Sequence, residues 1–180
     1  MHCYKIKNSD TLCLFRSVVV GLTYLKEPHK FFERVLTDSE NKNIRIGRKI
    51  QGDFASKLVV DVGLEDFNNE HGYTFDHVPL IEDFLDVQFK IIDSERMNYI
   101  SYDGREREKK VYLYKSGDHF HTVTSMAAFF SSSYFCNTCN KAYKNKNQHS
   151  CIPINDICPL CHKLKHSDES KNKIYCEECR

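Results

Sequence analysis

No stretch of this sequence approaches the roughly 20 consecutive apolar residues that a membrane-spanning helix needs, so no membrane partner is expected. The opening Met-His-Cys-Tyr-Lys-Ile-Lys has no long apolar segment of the kind a secretory signal carries. A soluble protein in the cytoplasm or nucleus is the expectation. Neither sign of charge is in surplus: the formal net charge is +1 at pH 7. That removes any global argument for nucleic acid or an acidic membrane as partner. No internal repeat of the whole unit is visible. Cysteine is missing from the long middle of the chain. After Cys3 and Cys13 none occurs until Cys136, and then seven of the nine follow by Cys179.

What is present divides accordingly. The 180 residues, 41% of them hydrophobic, suffice for one packed domain and a small appendage. Leu12, Phe15, Val19 and Leu22 recur at helical steps and predict a first helix from about Asp10 to Leu25, with Asp10 as its N-cap and Glu27-Pro28 beyond its end. A short helical piece is expected over 29–36, a polar loop over 38–43, and a further helix from Ile44 to about Val62. Asp76 to Leu85 predicts another, capped by Asp76 with Pro79 in its first turn.

The pattern then changes to alternation. Strands are expected over 87–93 and 97–102, and a hairpin over 111–124 turning at Lys115-Ser-Gly-Asp118. The charged run Arg105–Lys110 is expected to be a solvated loop. Helices first and strands later imply an α+β domain, with helices packed on an antiparallel sheet.

Two stretches carry chemistry in that domain. Cys13 falls in the first turn of the first helix, where unpaired N–H groups and the helix dipole favour a thiolate. N–H groups around Leu12 and Cys13 would supply an oxyanion hole. His119 and His121 are two apart on a strand and share one face. A cysteine with a histidine brought to it from elsewhere in the fold is a nucleophile with its base. The plainer reading of Cys13 is a small buried hydrophobe beside an apolar run.

Asp10-Thr-Leu-Cys13-Leu-Phe-Arg16-Ser17 resembles the signature Asp-Gly-x-Cys-Leu-Phe-Arg-Ala of the ovarian tumour (OTU) family of cysteine proteases, and Asp118-His119-Phe-His121-Thr-Val123 is similar to that family's closing motif. The resemblance covers about residues 8–125 and implies a papain-like, OTU-type protease domain over 1–130. It implies a thiol hydrolase of the deubiquitinase class that cuts (iso)peptide bonds at the C-terminus of ubiquitin or a ubiquitin-like protein. Cys13 would be the nucleophile and His119 the base. The third member would be His121 or Asp10. Thr11 stands where the family has glycine, and His121 where Asp or Asn is commoner. These departures allow a catalytically silent, partner-binding module as the alternative. An acidic groove for the arginine-bearing tail of ubiquitin could be lined by Glu65, Asp66 and Glu70 or by Glu82, Asp83 and Asp86.

Ser131-Ser-Ser marks a linker to a second unit, 131–180. Cys136 and Cys139 with His149 and Cys151 form one set of four soft ligands. Cys158 and Cys161 with Cys176 and Cys179 form another. Crowded Cys-x-x-Cys pairs without a secretion signal favour zinc over disulfides, and all-protein ligand sets favour structural zinc. Two zinc ions are expected. His162 and His166 stand as competing ligands, and interleaved sets remain open. So short a unit would draw its folding energy from the metal. Fully metallated, it would be about neutral. Nucleic acid is therefore expected only through this segment or through a larger chain. The run from His119 through Cys161 also resembles a segment preceding family B DNA polymerases of Maverick (Polinton) transposons. A chain ending one residue after Cys179 is consistent with a fragment of such a replication protein.

Overall fold

The computed structural model describes residues 2–27, 29–33, 36–67 and 72–151. The chain forms two compact units, 1–125 and 126–180. The first is a mixed α/β unit. Its elements are β1 (Cys3–Tyr4), α1 (Cys13–Leu22), α2 (Lys30–Glu33), α3 (Asp38–Ile46), α4 (Arg48–Val62), α5 (Val78–Leu85), β2 (Gln88–Asp93), β3 (Tyr99–Asp103), β4 (Lys110–Ser116) and β5 (His119–Val123). None of the described helices is long and apolar enough to cross a membrane.

All of α1 is buried, Arg16 and Ser17 included. It is packed against β5, β4 and α4. The buried Arg16 guanidinium is accommodated because Asp10 pairs with it, the Arg48 carbonyl accepts from it at 2.6 Å, and Gly52 leaves it room. A Cβ at Gly52 would stand 2.5 Å from Arg16 Nη2. At Gly21 a Cβ would stand 2.5 Å from Val111 Cγ1, so a glycine is needed for the helix to approach β4.

The helix boundaries differ from expectation for local reasons. α1 begins at Cys13, not Asp10, because the Asp10 carboxylate accepts from the Leu12 N–H at 3.1 Å and closes a turn ahead of the helix. Residues 38–43 are helical rather than a loop. Thr37 and Glu40 form a capping box, the Thr37 N–H donating to Glu40 Oε2 at 2.7 Å. Gly47 then separates α3 from α4 where one continuous helix was expected. Before α5, Thr74 rather than Asp76 caps a 3₁₀ turn over Phe75–His77.

The five-stranded sheet runs β1-β5-β4-β2-β3. The expected hairpin is present, with Ser116 opposite His119 and Gly117 at φ +59° in its tip. The sheet is nevertheless not wholly antiparallel, because β2 and β4 are parallel. The segment after β3 returns past β2 instead of turning back as a hairpin. Its charged run is an irregular loop with Arg105, Glu106 and Glu108 exposed, and within it Arg107 pairs with Asp83 and Asp86 beside α5. β2 is buried along its whole length, and its Lys90 is neutralised by Asp103 on β3 at 2.7 Å. The lead-in holds a strand the sequence did not suggest, β1, paired with the end of β5.

The second unit has α6 (Met126–Phe129), β6 (Tyr134–Cys136) and β7 (Lys141–Tyr143). The two strands form an antiparallel pair with Cys136 opposite Lys141.

Candidate functional site

α1 and β5 are stitched together where the Thr122 hydroxyl donates to the Ser17 carbonyl at 2.7 Å. One turn back along the helix, and three residues back along the strand, stand Cys13 and His119. The Cys13 thiol lies 3.7 Å from the Asp118 carbonyl. It also accepts the N–H of Phe120. The sulfur is thus held against the main chain on both sides of His119. Cys13 is 7% exposed.

The electrostatics differ from the simple helix-start argument. Burial pushes the Cys13 thiol up. Hydrogen bonds from the N–H groups of Phe120 and Leu14 offset this only in part, and the Asp10 charge adds to the rise. The resting group is a thiol, so a base must take its proton.

The four residues singled out by sequence occupy distinct roles. His119 Nε2 donates to the Ile6 carbonyl at 3.0 Å. His121 Nδ1 accepts the Ile6 N–H at 3.3 Å. The two rings are neighbours, with centroids 4.9 Å apart. Burial, then the charges of His119 and Lys5, lower His121 to about 4, so it is neutral near pH 7. Asp10 binds Arg16, the Asn8 amide and the Leu12 N–H. Burial opposes its ionisation, but these bonds hold its carboxyl below the ordinary value. Of the two expected oxyanion donors, the Leu12 N–H is therefore occupied.

The acidic grooves fare differently. Glu82 is 3% exposed and accepts from the Phe89 N–H at 2.5 Å and the Tyr102 hydroxyl at 2.6 Å. Burial raises its carboxyl. Asp83 and Asp86 are exposed and pair with Arg107, so of this trio only Glu82 is taken up inside the fold. Glu70 lies outside the described residues.

Sequence reasoning missed Ile6. What it contributes is a carbonyl and an N–H, which every residue but proline has, so no side-chain pattern could have marked it.

In the second unit, Cys136 ends β6, and Cys139 follows in a tight turn completed by Asn140 at φ +53°. His149 follows a 3₁₀ turn, with its ring stacked 4.2 Å from that of Tyr143. The ligand atoms of Cys136, Cys139, His149 and Cys151 lie within 4.8 Å of one another. Cys136 Sγ and Cys151 Sγ are 3.4 Å apart, and Cys139 Sγ is 3.8 Å from His149 Nε2. A tetrahedral ion about 2.3 Å from each sulfur sets its ligands roughly 3.8 Å apart, so this cluster could bind one metal ion. Cys136 and Cys151 share a proton: burial opposes ionisation of Cys136, yet the Cys139 N–H and the Cys151 thiol bring it down to about 6, while the same bond to Cys136 holds Cys151 up at about 11. The second expected set, Cys158, Cys161, Cys176 and Cys179, lies outside the described residues, as do His162 and His166.

Comparison of the chain with protein-family models, curated proteins and solved structures gives no match.

Proposed function

We propose that residues 1–125 act as a thiol-dependent isopeptidase on the C-terminal tail of ubiquitin or a ubiquitin-like protein. We further propose that the cysteine–histidine clusters of the second unit hold structural zinc, two ions in the full chain. One observation carries the enzymatic reading: the Cys13 sulfur rests against the main chain on either side of His119. The class of substrate comes from the resemblance of the two motifs around them.

In this reading the His119 imidazole takes the Cys13 proton, and the thiolate attacks the scissile carbonyl carbon. The carbon–nitrogen bond breaks as the imidazolium returns the proton to the leaving amine. The acyl group stays on sulfur. Water then attacks the thioester with the imidazole as base, releasing the carboxylate and restoring the thiol. The N–H groups at the start of α1 would donate to the developing oxyanion. Leu12 joins them only if its bond to Asp10 opens. The zinc, when bound, supplies folding energy to its own unit and no step of this reaction.

Ubiquitin and ubiquitin-like probes bearing a C-terminal electrophile should modify Cys13 in zinc-loaded protein, and failure of all of them defeats the proposal. A second reading is favoured by the contact from the Cys13 thiol to the Asp118 carbonyl: a silent module that binds its partner without cutting it. It requires binding that is unchanged by Cys13→Ala.

A further inference from the structure

β1 pairs with β5 only at Cys3 and Tyr4, opposite Val123 and Thr122. Continued by the same register, the ladder would bring residues 5–7 opposite His121, Phe120 and His119. Instead the two main-chain polar groups of Ile6 turn to side chains. Its N–H goes to His121 Nδ1 and its carbonyl to His119 Nε2. Ile6 is itself 3% exposed, so water competes poorly for either bond.

We infer that the group which orients the general base is the main-chain carbonyl of Ile6, and that His121 acts behind it by fixing the Ile6 peptide. The inference rests on Cys13 and His119 being a catalytic pair. A carbonyl accepts and never donates, so the bond from Nε2 fixes the His119 tautomer with its proton on Nε2. Nδ1 is then the nitrogen left with a lone pair. It is also the ring nitrogen nearer the main chain, where the Cys13 sulfur sits between the Asp118 carbonyl and the Phe120 N–H.

The arrangement also explains why an imidazole can stand at position 121. With Nδ1 accepting from Ile6, His121 need not touch His119. Its neutral ring adds no charge beside Lys5. Ile6 is thus a positioning residue acting through its backbone. The other groups facing the pair are Asp10 from the segment before α1 and Tyr114 from β4, whose ring lies 6.3 Å from that of His121.

Two measurements test this without a substrate. In the intact zinc-loaded protein, nitrogen-15 NMR of His119 should show the Nε2–H tautomer, and an Nδ1–H tautomer overturns the inference. The Leu12–Cys13 bond is also a natural ligation junction. A synthetic 1–12 thioester can be joined to 13–180 with the Ile6–Lys7 amide replaced by an ester, whose carbonyl is a weaker acceptor. Alkylation of Cys13 by iodoacetamide, followed by peptide mass mapping, should slow about fivefold near neutral pH and converge with wild type in alkali, where the thiol ionises unaided. An ester at Lys7–Asn8 is the control and should match wild type. A profile for the Ile6 ester that superimposes on wild type, or that is lowered equally at every pH, overturns the inference. If the ester chain does not fold, the tautomer measurement decides. Loss of all ubiquitin-probe labelling with the tautomer and ester effects intact would refute the substrate class and leave the role of Ile6 standing.

Discussion

Up to Ser125 the chain buries Leu14, Phe15, Val18, Ile81, Phe89 and Ile91 completely, with helices and sheet closing over them. Between Met126 and Cys151 only Met126 and Cys139 are buried among the described residues. The first unit is held by apolar surface removed from water, about 25 cal/mol for each Å². Among the described residues of the second unit little such surface is fully buried, and what converges there is three sulfurs and an imidazole. One region can therefore be damaged by a methyl group and the other by a chelator.

The largest effect expected is metal removal. Structural zinc contributes about 10–16 kcal/mol in small zinc modules, so a strong chelator, or Cys139→Ser, should collapse the amide dispersion of 126–151 in NMR spectra. Signals of the first unit should persist. Elemental analysis should find zinc in untreated protein, and its absence would erase the contrast.

Next comes Cys13→Ala. Loss of the nucleophile should lower hydrolysis of a ubiquitin-derived substrate by at least about a thousandfold, with zinc content and melting temperature nearly unchanged. A residual rate within tenfold of wild type would remove Cys13 from the chemistry.

Gly21→Ala is the converse of chelation. Its Cβ would meet Val111 Cγ1 at 2.5 Å, and Val111 is itself 2% exposed. A destabilisation of about 1–3 kcal/mol is expected in denaturant unfolding of the first unit, with metal affinity of the second untouched.

The smallest effect is in pH. His121 has an ordinary value of 6.5 and is lowered to about 4 in the fold. Between these values the unfolded chain holds more protons than the folded one, so stability rises with pH across that window and is lost as pH falls from 6.5 toward 4. The half-buried ring keeps the change to about 1–2 kcal/mol. His121→Gln should flatten that slope, and an unchanged slope would mean another group carries it.

Periodicity located α1 and α4 because each has apolar residues repeated at helical spacing, and a proline in its first turn marked α5. It placed the β4–β5 hairpin because Gly117 and Asp118 sit between two alternating runs. The Thr37–Glu40 capping box was legible too, three residues apart, but lay in a polar stretch without an apolar face to draw attention to it. β1 could not be seen. Two paired residues have no periodicity, and their partner is more than a hundred positions away. The parallel pairing of β2 with β4 was equally hidden, since a strand's sequence does not state the direction of its neighbour.

Residue type and spacing alone establish which atoms are available: one thiol at a helix start, two imidazoles on one strand face, and knuckle-spaced cysteines whose local turn aims two sulfurs at one point. These are short-range facts. Their chemical states come from long-range packing. Closing α1 over β5 buried the Cys13 thiol and raised it, against the pull of the helix start. It assigned Asp10 to Arg16 and set Ile6 against His119. Burial and long-range neighbours set those outcomes, and both arise only when distant segments pack together.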